Sequence, residues 1–200
     1  MGKRSKGMAK GSSFEREVCG LLSRWWTNGQ LDDVFWRTAG SGSRATQRNK
    51  RGARTFGQSA DVEATDPIGQ PLIDCFAIEI KRGYNTATLS NYLDSAPKAK
   101  PEFLQFIQQA DRSAKQYGAI YWLLIHKRDR RIITATLPYA AFRQLRQQSR
   151  SRQRIMRMQT PQENTDSAII ISYDVAQLPL SGFFQLIRPQ AIIELVEAHK

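Results

Sequence analysis

Two residues in the stretch "FAIEIKRG", 76–83, could do chemistry together: Glu79 and Lys81. Side chains two apart in a strand point to one face, so a carboxylate and an ammonium would stand side by side there. Phe76, Ile78 and Ile80 would line the other face. At a solvated sheet edge such a pair is a surface ion pair that contributes little. In a cleft it is a metal-binding carboxylate beside a cation that steadies a reacting group. A chain of this length holds on the order of one acid-x-Lys triplet by chance, so the surrounding residues decide between the two.

Those residues favour the cleft. "ADVEAT", 60–65, reads as another strand that opens on Asp61, with Glu63 two positions along as the substitute if the register shifts. Two carboxylates on adjacent strands can share a divalent ion, and a third acid from a neighbouring helix would complete the set. Hard oxygen ligands with open positions select Mg²⁺ or Mn²⁺ over zinc. Such an ion lowers the pKa of bound water and neutralises charge on a phosphodiester. A lysine beside it can orient the water or stabilise the oxyanion.

The elements that must position these groups follow from periodicity. From residue 12, Phe14, Val18, Leu21, Leu22 and Trp25 make one apolar helical stripe flanked by Glu15, and Asn28-Gly29 closes it. Ser12 and Glu15 also match a capping box. "VFWRT", 34–38, is a short β-type run carrying Arg37, which reads as a partner for nucleic-acid phosphate or for a carboxylate. "ADVEAT" and "CFAIEIK" read as strands joined by the hairpin-like turn "DPIGQP". Pro101 opens a helix with Phe103, Phe106, Ile107, Ala110, Ala114 and Tyr117 on one face, and Gly118 ends it. "AIYWLLIH" has the apolar continuity of a strand buried on both faces. "RIITATL" is a further strand and Pro138 begins a helix. "AIIISY" and "FFQLI" read as strands, and a short helix starts at Pro189.

Charge names the partner class. Thirty Lys and Arg against 18 acids give a net charge of +12, which suits a polyanion. No segment has the length of an uncharged membrane span, so nucleic acid is the stronger expectation and a membrane is not expected. The basic N-terminus (Lys3, Arg4, Lys6) reads as a phosphate-binding arm. No acid lies between Asp33 and Asp61, a Gly/Ser-rich stretch that carries Arg44, Arg48, Lys50, Arg51 and Arg54. None lies from 130 to 162, which includes Arg150, Arg152, Arg154 and Arg157. Both stretches read as phosphate-contacting. Cys19 and Cys75 are too few for a disulfide framework and read as buried thiols in a reducing compartment. His126 and His199 read as structural or solvated.

In this order the pieces resemble the PD-(D/E)xK nucleases, and within them the archaeal-type Holliday-junction resolvases. "KGSSFEREV" sets Glu15 in the place of the family's helix acid. "RTAGSGS" sets Arg37 and Ser41 at the family's arginine and catalytic-loop serine, with Ser43 a lesser candidate. "SADVEA" sets Asp61 at the motif aspartate, and "AIEIK" sets Glu79 and Lys81 at the motif acid and lysine. The likeness spans roughly 7–127, with a longer basic loop and Ala60 where proline is common. It implies an α/β fold: a central mixed β-sheet flanked by helices, as in restriction endonucleases. Residues 1–11 would be a basic arm, 12–137 the nuclease core and 138–200 a C-terminal α/β extension. It implies a Mg²⁺- or Mn²⁺-dependent endonuclease for branched DNA, working in recombination and repair as a homodimer on the cytoplasmic, nucleoid-associated DNA. Glu15, Ser41, Asp61, Glu79 and Lys81 would be catalytic, and Asp61, Glu79 and Glu15 would hold metal. The alternatives are a site-specific restriction or homing-type nuclease on the same fold and a non-catalytic nucleic-acid binder.

Overall fold

The apolar stripe of the first helix forms the seam along which the chain is assembled. In the computed structural model, which describes residues 6–38, 60–93, 101–146, 155–159, 163–164, 170–171 and 173–200, α1 runs Lys6–Trp26. Phe14, Val18, Cys19 and Leu22 on it are fully buried. The helix starts six residues before the expected site, so Ser12 lies inside it and the Ser12–Glu15 capping box is not its N-terminus. Residues 6–11 are helix, not arm. Asn28 and Gly29 both take positive φ, and the Gly29 N–H donates to the Arg24 carbonyl at 2.6 Å, so the chain stops and reverses there.

Strand β1 (Phe35–Arg37) pairs antiparallel with β2 (Val62–Ala64), with Trp36 opposite Glu63. A 3₁₀ turn (Pro67–Gly69) and a short helix α2 (Gln70–Cys75) lead into β3 (Phe76–Arg82). The expected hairpin is therefore a crossover: Ala60 bridges Ile78 in parallel, and the connection carries a helix. The sequence hid this because Pro71, in the first turn of α2, is compatible with a helix start as well as with a turn. Gly69 lets the crossover sit flush on β1, since a Cβ there would lie 2.7 Å from the Phe35 ring and 2.8 Å from Val34. The Trp26 indole N–H fastens the same turn by donating to the Ile68 carbonyl at 2.8 Å.

Beyond β3 come the short helix α3 (Leu89–Leu93), then α4 (Glu102–Tyr117), capped by Gly118 at φ 75°, and β4 (Tyr121–Lys127). β4 lies parallel to β3. β5 (Ile133–Pro138) and α5 (Tyr139–Leu145) follow, then β6 (Met156–Gln159) and the two-residue strands β7 (Glu163–Asn164) and β8 (Ile170–Ile171). The chain closes with β9 (Asp174–Pro179), α6 (Leu180–Leu186) and α7 (Pro189–Glu197). The main sheet has the order β3-β4-β5-β9-β6, one parallel pair followed by antiparallel ones. It is a mixed sheet flanked by helices, as expected. Strands β9 and β6, from the C-terminal third, extend that sheet.

Two readings near the C-terminus are refined. Within "AIIISY", Ile170–Ile171 is strand and the residues on either side at 168–169 and 172 lie outside the described residues, while Asp174–Pro179 forms the sheet strand. "FFQLI" is mostly α6, because Leu180, Phe183 and Leu186 recur at helical spacing behind Pro179 and are all buried. Short apolar runs carry too little periodicity to separate strand from helix. Each sheet face has its own core. Phe14, Leu22, Ile78, Ile80, Leu123, Ile125 and Phe183 share the α1 side, whereas Ala77, Trp122, Leu124, Phe103 and Ile107 share the α4 side. Trp25 stacks on Phe184, centroids 5.1 Å apart, and ties α1 to α6. Truncating the buried Phe183 to Ala would cost about 3–5 kcal/mol.

Candidate active site

Alternation along β3 puts Ala77, Glu79 and Lys81 on the α4 face. Glu79 is only 2 % exposed, a burial that a carboxylate tolerates only when its lone pairs are used. Three donors use them. Lys81 Nζ lies 3.1 Å and Gln109 Nε2 2.8 Å from Oε2, and the Ser113 hydroxyl donates to Oε1 at 2.8 Å. Gln109 and Ser113 sit one turn apart on α4, so a single helix face supplies both neutral donors. Lys81 Nζ also stands 5.8 Å from the centre of the Phe106 ring. Burial works against the Lys81 ammonium, but Glu79 and then Asp61 outweigh it and raise its pKa.

Asp61 is held by its backbone from both sides. Its N–H donates to the Ile78 carbonyl at 2.9 Å, and its own carbonyl accepts the Thr38 N–H at 3.1 Å. The Thr38 hydroxyl donates to the Ala60 carbonyl at 2.8 Å. Ala60 takes the left-handed region at φ 60°, an uncommon position for a residue with a Cβ, and this turns the chain so that Asp61 reaches β3. There the carboxylate Oδ2 accepts the Ile80 N–H at 2.8 Å. Burial first, and Glu79 second, push the Asp61 carboxyl up to about 7 against the pull of Lys81 and the Ile80 N–H. The two acids thus stand on neighbouring backbones, one fully charge-compensated and one not.

Glu15 and Arg37 form a separate pair beside them, with Nε 2.6 Å from Oε2. Arg37 thus has a carboxylate partner, and Glu15 acts on Asp61 only through its charge. Among the described residues no group of three or more His, Cys, Asp or Glu converges on a metal position, so the expected three-acid set of Asp61, Glu79 and Glu15 is not assembled. Asp61 and Glu79 alone fit a divalent cation. They are hard oxygen donors, and the raised Asp61 carboxyl marks uncompensated negative charge that such a cation would discharge.

Glu63 is half-buried on β2, and burial raises its carboxyl. Arg157, on β6, donates to both Asp174 oxygens at 2.9 and 2.7 Å and lies 4.0 Å over the Tyr139 ring. Lys3, Arg4, Ser41, Ser43, Arg44, Arg48, Lys50, Arg51, Arg54, Arg150, Arg152 and Arg154 lie outside the described residues, as does the side chain of Lys6. His126 is buried against Gly83, its Nε2 3.1 Å from that carbonyl. Both thiols are free and buried, and burial pushes Cys19 up to about 12.

Sequence reasoning did not find Gln109 and Ser113. Their signal is a polar pair at i, i+4 running beside the buried Phe106, Ala110 and Ala114. Tyr117 continues it one turn on, its phenol raised by burial and then by Glu79 and Asp61.

A mixed sheet with an aspartate meeting a Glu-x-Lys strand is the arrangement of the PD-(D/E)xK nuclease superfamily. The chain belongs to the family described as "Phage putative PDDEXK endonuclease", whose model matches residues 6–194. No curated protein and no solved structure matches it.

Proposed function

We propose that this nuclease is a divalent-cation-dependent endodeoxyribonuclease that cuts branched DNA, such as a four-way junction, as a homodimer. The observation that carries the chemistry is the meeting of Asp61, Glu79 and Lys81 at one end of β3. Asp61 and Glu79 are the residues that would hold Mg²⁺ or Mn²⁺. When bound, such an ion acidifies water and neutralises phosphodiester charge. Lys81, kept cationic by both carboxylates, supplies positive charge where the phosphorane oxygens become more negative. Gln109 and Ser113 fix the Glu79 carboxylate before substrate arrives, so little reorganisation accompanies the reaction.

The junction reading draws on the resemblance to archaeal-type resolvases and on the net charge of +12. A four-way junction takes two symmetric incisions, which an isologous dimer presents naturally. The test is cleavage of labelled four-way junction, flap, duplex and single strand, with Mg²⁺ or EDTA, alongside sedimentation of the protein. Paired cuts in the junction, with Mg²⁺ only and by a dimer, are expected. Cutting of plain duplex at one sequence would point to the site-specific nuclease. Equal binding in EDTA with no nicking under any condition would leave a non-catalytic binder.

A further inference from the structure

We propose that Trp36 and Glu63 form a base-recognition subsite beside the reactive carboxylates, which stacks on and reads an unstacked base flanking the cut. This rests on the nuclease reading above and specifies what that site takes as substrate.

The placement follows from strand alternation. Phe35 is buried in the α1-side core, and Arg37 bonds Glu15 on α1, so β1 turns those two side chains toward α1. Trp36, between them, must point to the opposite face. Its cross-strand partner is Glu63, so the indole and the carboxylate stand about 5 Å apart at their Cβ atoms on one face. Phe35 and Val62, the strand neighbours of Trp36 and Glu63, both lie in the α1-side core, so this face is turned away from α1. Trp36 is 45 % exposed, so its indole face is accessible to a ligand.

Position and chemistry select that ligand. Asp61 is joined to β1 through Thr38 and to β3 through Ile78 and Ile80. Trp36 is therefore two strand spacings from β3, about 10 Å, within reach of a base next to the scissile phosphate. The protein as a whole carries a net charge of +12, so a polyanion is the partner it attracts. A carboxylate in that setting repels phosphate. What it accepts is an exocyclic amino group, and what an open indole takes is the π-face of a base. Together they fit a base that carries an amino group (cytosine, adenine or guanine, not thymine) with its ring face free, as at a branch point, a flap or a single strand. A paired and stacked base in intact duplex offers no such face.

The experiment measures affinity by fluorescence anisotropy in EDTA, for four-way junction, single strand and duplex, using the full-length protein. Trp36→Ala is expected to weaken junction and single-strand binding about 5- to 150-fold, the loss typical of one base–aromatic stack, with duplex affinity unchanged. Trp36→Phe should restore most of it. Glu63→Gln should shift the preference among single strands away from those whose bases carry an amino group. Equal losses on all three DNAs, or no loss on any, would overturn the subsite. A change from dimer to monomer in Trp36→Ala on sedimentation would overturn it too, by showing that the face is covered by a second copy. Because binding is read without metal, these outcomes stay decisive even if the wild type cuts nothing. That result would defeat the nuclease proposal alone.

Discussion

Glu79 and Asp61 stand on neighbouring backbones and are provided for in opposite ways. The end of β3 surrounds Glu79 with three side-chain donors from its own strand and from α4. Among the described residues, the turn before β2 gives the Asp61 carboxylate one hydrogen bond, from the Ile80 N–H, and leaves it facing the charge of Glu79 and Glu15 with Lys81 as an opposing cation. One carboxylate is rigid and satisfied; the other is rigid in its backbone and electrostatically strained. On the proposed mechanism both acids hold the cation, Glu79 as the pre-oriented ligand and Asp61 as the one whose uncompensated charge such a cation would discharge.

The sharpest way to break this contrast is to remove either charge. Asp61→Asn and Glu79→Gln are each expected to abolish Mg²⁺-dependent cleavage while leaving DNA affinity unchanged, since neither residue faces a phosphate alone. Lys81→Ala should retain a residue of activity, falling ~10²–10³-fold as expected for one transition-state donor. A Glu79→Gln protein with wild-type single-turnover rate would sink the site.

Weaker effects test the claim that α4 holds Glu79 in place. Gln109→Leu or Ser113→Ala should lower Mg²⁺ affinity, measured by calorimetry on the DNA-free protein, by roughly 10–100-fold. Ser113→Thr, which keeps the hydroxyl, should recover it. If metal affinity stays put while thermal stability drops, the two residues serve packing only.

The smallest effect lies in stability and has an unusual sign. Asp61 binds its proton more tightly in the folded chain, near pH 7, than in the unfolded one, near 3.8. Its protonation therefore favours folding at low pH, and that contribution is lost as pH rises between those two values. Asn cannot lose a proton. The inactive Asp61→Asn protein should match the wild type near pH 3.8 and exceed it above pH 7, by about 1–4 kcal/mol. Denaturant titrations across that window, without metal, check it; a wild type that stays the more stable above pH 7 contradicts the strain.

Much of the scaffold was legible because its signals are local. The stripe from Phe14 to Trp25, the Pro101 to Gly118 helix and the doubly buried Trp122–Ile125 run each announce their element within a dozen residues. Asp61, Glu79 and Lys81 were legible as a chemical set, and the structure brings them together. Glu15 was legible as an acid near the site, but its capture by Arg37 depends on how α1 leans on β1, which no local pattern records. Gln109 and Ser113 lie 30 and 34 residues from the carboxylate they bond, with only a polar stripe to mark them. The crossover through α2 was missed because "DPIGQP" suits a tight turn as well as a helix start, Pro71 being compatible with both.

The strand order β3-β4-β5-β9-β6 turns the sheet into a ruler. The proposed site lies on β3, at one end of that order, and Arg157 on β6, at the other, four strand spacings or roughly 19 Å away. Along B-form DNA at about 3.4 Å per base pair, that width is some five to six base pairs. On the proposed junction reading, an arm that runs past the strand ends from β3 to β6 meets the far edge only if it is at least that long. Shortening a junction arm below this length should thus cost affinity in one step, at a position set by the protein's own width.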